Sequence, residues 1–328
     1  MKWLKTCGAL LLAGGVLAGC AGEKTTKETS GEKEKTYKVG VTQIVEHPSL
    51  DAAFNGFKKA LEEKGLKVEY DVQIAQGDMN NNQTIANNFV ADGVDLIFAN
   101  STPSALGALN ATKDIPIVFT SVTDPVGAKL VQSMEQPGGN VTGTTDTHPD
   151  AIPKTVQFID QFVDGNRVGM IYNAGEQNSV AQVDAVKKAM EGTDLTIVPV
   201  SVSTSSEVKQ AAESLVGKVD CFYVITDNTV VSALESVIQV ANDQDIPLFV
   251  GELDSVKRGG FAAYGFDYYD IGYEAGVMAA DILEGKKKPS ELPVQYPQKL
   301  KLVINKKAAE EMGITWRSEW DSMAEFIE

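Results

Sequence analysis

Lys38-Val39-Gly40-Val41-Thr42-Gln43 is answered 129 residues later by Arg167-Val168-Gly169-Met170-Ile171-Tyr172. Outward from these two apolar runs the correspondence continues. Phe57-Lys58-Lys59-Ala60-Leu61 returns as Val186-Lys187-Lys188-Ala189-Met190, and Val94-Asp95 returns as Val219-Asp220. Ile115-Pro116-Ile117-Val118-Phe119 returns as Ile246-Pro247-Leu248-Phe249-Val250. The order is kept at offsets of 129, 125 and 131 residues. That period is too long for a solenoid. It reads as two copies of one lobe, and 328 residues suit two lobes of about 130 each. Two facing lobes enclose a cleft, a common place for a small ligand.

Within each copy strand and helix signals alternate. Apolar strands are expected at 38–44, 67–74, 95–99, 115–120 and 141–145. Leu50, Ala53, Phe54, Phe57 and Leu61 share one helical face, Ile85, Phe89 and Val90 mark a second helix, and a third covers 102–111. The second copy places strands at 168–172, 195–202, 221–226 and 248–250. Val183, Val186 and Met190 mark its first helix, and the capping-box pattern Thr204-x-x-Glu207 opens its second. Continuous apolar strands alternating with helices predict an α/β fold of two similar doubly wound parallel-sheet lobes, each sheet covered on both faces. After Gly259 a strand at 260–266, a helix at 271–283 and a strand at 300–304 follow lobes already complete, so this tail is expected to cross back between them. The expected lobes are 37–145 plus 267–288 and 146–266 plus 289–328, with crossings near 145, 266 and 289 acting as a hinge.

Hydrophobic and charged contents of 43% and 23% are ordinary for a globular chain. A formal net charge of −16 disfavours nucleic acid, which needs a basic footprint. Lys2 and Lys5 precede the apolar run Ala9-Leu10-Leu11-Leu12-Ala13, which ends in Leu17-Ala18-Gly19-Cys20. Residues 1–19 read as a secretory signal peptide, too short to span a bilayer comfortably. The final tetrad resembles a bacterial lipobox, in which Cys20 is lipidated and becomes the first mature residue, placing the protein outside the cytoplasm on the cell membrane. The alternative is an ordinary signal peptide that happens to contain Cys20. Residues 21–36 hold no bulky apolar side chain and read, with Cys20, as a flexible tether. Cys221, alone inside an apolar run, reads as a small buried hydrophobe.

In parallel sheets ligands gather at the carboxyl ends of strands. In the first lobe those ends are Gln43–His47, Asn100-Ser101-Thr102-Pro103-Ser104 and Thr120-Ser121-Val122-Thr123-Asp124. In the second they are 173–179, Thr226-Asp227-Asn228 and Glu252-Leu253-Asp254. Hydroxyls and N–H groups near Ser101, Thr102 and Ser104 suit an anion such as a carboxylate. Asp227, Glu252 and Asp254 suit an ammonium group. The two walls together match a zwitterion, of which the free amino acid is the commonest. Each residue alone also reads as a helix cap or turn residue. Phe266, Tyr268, Tyr269 and Tyr172 offer either a stacking wall or core packing. His47, ahead of Pro48, is a candidate contact or a helix-start residue.

No phosphate-binding or dinucleotide glycine loop, metal-ligand spacing or nucleophile elbow appears, so no cofactor or metal is expected. Asp124 and Asp254 across the cleft keep open a surface enzyme using general acid and base. A sensory module of the same fold is a further alternative.

Six stretches carry a resemblance: Val45-Glu46-His47-Pro48-Ser49-Leu50-Asp51, Ala75-Gln76-Gly77-Asp78, Val122-Thr123-Asp124-Pro125-Val126-Gly127, Pro137-Gly138-Gly139-Asn140-Val141-Thr142-Gly143, Thr226-Asp227-Asn228-Thr229-Val230 and Gly265-Phe266-Asp267-Tyr268-Tyr269. Over about residues 37–315 the chain resembles the ABC-transporter substrate-binding lipoproteins linked to tryptophan uptake. The resemblance implies a periplasmic-binding-protein fold of type I, with three crossings. It also implies capture of an aromatic amino acid and delivery to a membrane permease. Gly175-Glu176-Gln177-Asn178-Ser179-Val180 resembles the family's second-lobe loop, which makes Asn178 and Ser179 expected contacts. The expected ligand set is Gln43, Ser101, Thr102, Ser104, Thr123, Asp124, Asn178, Ser179, Thr226, Asp227, Asp254 and Tyr268, in a monomer held to the membrane through Cys20.

Overall fold

The computed structural model describes residues 35–328. The expected signal peptide, Cys20 and most of the tether lie outside the described residues.

The first lobe is built from β1 (Thr36–Gln43), α1 (Pro48–Glu63), β2 (Lys67–Ile74), α2 (Met79–Ala91), β3 (Leu96–Asn100), α3 (Thr102–Ala111), β4 (Ile117–Val122) and β5 (Val141–Thr145). Its sheet is wholly parallel, in the order β2-β1-β3-β4-β5. Alternation along β3 shows why the apolar run is continuous. Leu96 and Phe98 join a cluster with Val39, Phe57 and Ala279, while Ile97 and Ala99 join one with Phe89, Ala105 and Ala108. Both faces are covered, so every position must be apolar.

The second lobe follows with α4 (Ala151–Phe162), β6 (Arg167–Tyr172), α5 (Gln177–Ala189), β7 (Thr196–Ser201), α6 (Val208–Leu215), β8 (Cys221–Val224), α7 (Asn228–Val231), α8 (Leu234–Asp243), β9 (Leu248–Val250), α9 (Leu253–Arg258) and β10 (Ala262–Gly265). The order β7-β6-β8-β9-β10 repeats that of the first sheet, strand for strand. The chain then forms α10 (Tyr268–Leu283), and returns through β11 (Lys301–Asn305), α11 (Lys306–Glu311) and β12 (Glu325–Ile327) to extend the second sheet to seven strands. β11 runs antiparallel to β10, so this lobe is mixed where a parallel sheet was expected. A late strand entering from the far end of the molecule has no crossover to reverse its direction.

α10 lies on the first lobe. A methyl group at Gly272 would collide with the Ala53 carbonyl, and one at Gly56 with the Tyr269 carbonyl. The two helices therefore meet backbone to backbone, and only glycine allows that approach. The return segment stays with the first lobe longer than the expected boundary at 289. Thr142 Oγ1 donates to the Leu292 carbonyl, Gln295 N to the Gly143 carbonyl, and Val294 packs in the first-lobe core. The third passage between the lobes thus falls after Gln295, because the edge of β5 offers that segment backbone partners. The other two passages follow β5 and β10.

Candidate functional site

Each sheet reverses its strand order between its first and third strands, β1 and β3 in one lobe and β6 and β8 in the other. Ligand crevices open at such reversal points, outside the carboxyl ends of the strands. The loops there are braced from within. In the first lobe Asn100 Nδ2 donates to Gln43 Oε1 at 3.0 Å and to the Leu50 carbonyl at 2.8 Å, and Asn100 Oδ1 accepts from Ser121 Oγ at 2.8 Å. In the second, Asp227 accepts from Asn173 N and Ser179 Oγ, both at 2.6 Å, and from Val230 N at 2.8 Å. Ser101 (φ 130°, ψ 162°) and Ser121 (φ 56°) are non-glycine residues in the left-handed half of backbone space, and both are buried at first-lobe strand ends. Strain of this kind collects at binding sites.

The two lobes touch. Gln182 Nε2 of α5 donates to Thr123 Oγ1 at 3.4 Å, and His47 of the first lobe lines one cavity with Asn178, Asn228 and Glu252 of the second. Between them is a polar cavity lined by His47, Ser121, Asp146, Asn178, Glu252 and Tyr268, together with Leu50, Thr226, Asn228 and Val231. Its volume is about 10 Å³, room for a single water, so anything of amino-acid size requires the lobes to part. A neighbouring cavity of about 20 Å³ shares Asp146 and Thr226 and is walled by Ile152, Tyr223, Tyr264 and Phe266. A larger groove of about 520 Å³ runs beside the crossings, between the start of α10 and residues 295–299, and none of the strand-end loops lines it except through Phe266.

Acids dominate the polar cavity. Asp146, on the passage after β5, accepts from Thr123 Oγ1 at 2.9 Å and Tyr268 OH at 3.0 Å. Burial pushes its carboxyl up to about 6. Burial likewise raises Glu252, which accepts from Ser255 Oγ at 2.7 Å. Burial, with Arg258 nearby, lowers the His47 imidazole to about 4. The Tyr268 ring stacks on Phe266 at 5.5 Å.

Of the residues expected from sequence, Asn178, Thr226 and Tyr268 line this cavity, and Thr123 reaches it through Asp146. Gln43, Ser179 and Asp227 brace the loops. Ser101 caps α3, its Oγ accepting from Ser104 N and donating to Ser104 Oγ, and Thr102 Oγ1 accepts from Thr123 N. With Pro103 lacking an N–H and the Ser104 N–H spent, α3 offers an anion fewer donors than its sequence suggests. Asp124 closes its own turn onto Gly127 N. Asp254 pairs with Lys257 at 2.7 Å in a separate groove beside Lys301 and Glu325. Neither lines the interlobe cavity, so the acid–base pair considered for an enzyme is not assembled there. Burial, and then the neighbouring Glu176, push the Asp227 carboxyl up, but its oxygens face its own loops. Asp146 was passed over in sequence because it sits in a crossing without periodicity. Its place directly after β5 was the available signal.

Residues 38–325 match the family described as ABC transporter substrate binding protein. A tyrosine-binding protein of Clostridioides difficile is 45% identical over 312 residues, 90% of this chain and 89% of that one. An ABC domain from Streptococcus pneumonia in complex with L-Trp overlays with a TM-score of 0.84 at 34% identity, over 90% of this chain and 100% of that one. A ligand-free, open substrate binding protein with adhesive properties from Clostridium difficile gives 0.65 at 41% identity, over 89% and 99%. Of these two structures the more similar in sequence overlays less well, and it is the one described as open.

Proposed function

The chain belongs to the family of ABC transporter substrate binding proteins, and from that membership we propose that it captures a free aromatic amino acid between its lobes and presents it to a membrane permease. The family is one of solute carriers that work outside the cytoplasm, rather than of enzymes. The observation that carries the choice of ligand is the interlobe cavity, in which the half-buried carboxyl of Asp146 and the buried one of Glu252 stand ready for an ammonium group. The neighbouring aromatic space around Tyr223, Tyr264 and Phe266 takes the ligand side chain. The tyrosine-binding relative and the L-Trp complex support an aromatic ligand. Ligand bridging both lobes stabilises the closed arrangement by its differential affinity for it, with the three passages between the lobes as the hinge.

Thermal-shift screening against the twenty amino acids tests this. Tyrosine, tryptophan or phenylalanine is expected to raise the melting temperature in proportion to its occupancy, and silence to all three refutes the aromatic assignment. The signal peptide and lipidated Cys20 belong to the same reading. Cys20→Ala is expected to release the protein from the membrane fraction, and mass spectrometry of the extracted wild type to find acyl chains on Cys20.

A further inference from the structure

The groove of about 520 Å³ beside the crossings plays no part in the amino-acid reading, yet it has the size of a ligand site and lies where the lobes are joined. All three passages wall it. Thr144 belongs to the strand that leads into the first, Phe266 and Asp267 lie on the second, and residues 296–299 lie on the third. One wall, the start of α10, is fixed to the first lobe by the backbone contacts at Gly56 and Gly272. The facing wall runs on into β11 of the second lobe. The groove therefore changes shape whenever the lobes move, and its present shape goes with a shut interlobe cavity.

Its chemistry is one-sided. Buried Phe266, Ile271 and Pro297 supply apolar lining, and the rings of Tyr273 and Tyr296 stand with them, Tyr296 being 43% exposed. Tyr273 OH donates to Glu63 Oε2 at 2.7 Å, which holds that ring in place. The amide donors are spent. Gln295 Nε2 donates to the Pro293 carbonyl at 2.9 Å and Gln298 Nε2 to the Tyr296 carbonyl at 2.7 Å. Thr144 Oγ1 is likewise committed, to the Ile271 carbonyl at 3.0 Å. Carboxylates remain. Asp267 caps α10 through Tyr269 N and lies within range of the Lys257 charge. Asp270 meets Lys299 only at 4.0 Å, with the lysine side chain 87% exposed, a pair too open to neutralise it. Glu274, one turn further along the same face of α10, has no ion pair or side-chain hydrogen bond among the described residues. Open acceptors, aromatic faces and spent donors fit a cation with an apolar body and disfavour an anion. The net charge of −16 adds long-range attraction for the same kind of ligand.

We infer that this groove is a second binding site, for a small organic cation whose charged end sits between Asp270 and Glu274 and whose apolar body lies against Tyr273 and Tyr296. The groove that receives it has the shape of the shut form. The cation therefore stabilises that form, and tightens the interlobe site without entering it. The coupling rests on the amino-acid reading above, and the cation site does not.

Benzyltrimethylammonium is the probe, since it has no N–H and no carboxylate with which to imitate an amino acid. Phenylacetate, of like size and opposite charge, is its control. Titration of the full chain, followed by saturation-transfer NMR, is expected to give a Kd of about 1 mM or below for the cation and no binding of phenylacetate. Asp270→Asn combined with Glu274→Gln should weaken the cation about tenfold, and Tyr296→Ala about fivefold. All three side chains are exposed, so the variants keep the fold, and their amino-acid affinity measured without the cation should stay within about twofold of wild type. Saturating cation should tighten the best-bound of tyrosine, tryptophan and phenylalanine about fivefold in calorimetry, and that amino acid should tighten the cation by the same factor. In X-ray scattering with no amino acid present, the cation should lower the radius of gyration. A cation that does not bind, that phenylacetate matches, or that is indifferent to the double variant overturns the site. A cation that competes with the amino acid sits in the interlobe cavity and overturns it too. Binding with neither tightening nor compaction overturns the coupling. A chain that binds no amino acid refutes the receptor reading alone, since the cation titration and the scattering still decide the groove.

Discussion

β3 and β8 hold equivalent places in the two sheets, and each runs through a capping residue into a helix, yet the two lobes tie these ends together with opposite chemistry. The first lobe uses neutral groups. Asn100 joins the ends of β1 and β4, and Ser101 caps α3. The second uses one buried carboxylate, Asp227, both as cap of α7 and as the tie to Asn173 and Ser179. Duplication fixed where each loop stands; substitution decided what it donates or accepts. The comparison predicts unequal losses. Asp227→Ala strands two backbone N–H groups and a hydroxyl and is expected to lower stability by about 3 kcal/mol or more. Asn100→Ala strands neutral partners and should lower it by about 2 kcal/mol. Urea unfolding measures both, and the reverse order would mean that the acid is not the heavier brace.

The next largest effect concerns the acid that belongs to neither lobe. Asp146, on the first passage between them, titrates near 6 where an unperturbed aspartate titrates at 3.8. With the folded value above the unfolded one, its contribution to stability is complete below about pH 4 and is lost as pH rises through 6. Asp146→Asn imitates the protonated form. The variant and wild type should therefore run in parallel below pH 4, with the variant gaining about 2–3 kcal/mol relative to wild type by pH 7. His47, whose lowered value acts in the opposite sense, is common to both proteins and cancels in the difference. A difference curve flat from pH 4 to 7 would show that the carboxyl is not held in a buried site.

Much of this was legible in the chain because the repeat is a statement about topology. Paired apolar runs marked the two lobes, and a helix following lobes already complete had to dock back on one of them. α4 went unread although Ile152, Val156, Phe158 and Ile159 carry its face, because Pro153 in its first turn looks like a loop signal. β12 went unread because three residues carry no period. The site was legible by position and not by orientation. Asp227 and Asp254 both stand at strand ends. An aspartate ahead of a helix, however, turns its carboxylate onto that helix's own N–H groups, and one four residues before a helix end finds a lysine on the same face. Which acids face the gap depends on side-chain partners that only the packed loops supply.

Ser101 sharpens the contrast between the caps at a smaller scale. Its backbone lies in a region that suits glycine, and its side chain caps α3. Ser101→Ala loses the cap and keeps the strain, an expected loss of about 1 kcal/mol. Ser101→Gly gives up a few tenths for the cap and relieves the strain, so it should equal or exceed wild type by about 1 kcal/mol. Thermal unfolding of the two variants decides, and a glycine variant weaker than the alanine one would show the conformation to be unstrained.

The smallest expected effect tests which wall reads the ammonium group. Asp254 stands at a second-lobe strand end, where sequence alone placed a cation partner. Its carboxylate instead meets Lys257 at 2.7 Å, with that lysine side chain 61% exposed, in a groove it shares with Asp267, Lys301 and Glu325. A pair this open to solvent contributes little, so Asp254→Ala should change stability by less than about 1 kcal/mol. Amino-acid affinity should stay within about twofold, since the residue does not line the interlobe cavity. Calorimetry on this variant beside Asp146→Asn separates the two possibilities. Affinity lost in the crossing acid and kept in the strand-end acid puts the cation partner at the hinge, where both lobes share it. A tenfold loss on removing Asp254 would return that role to the second lobe and restore a symmetric reading of the cleft.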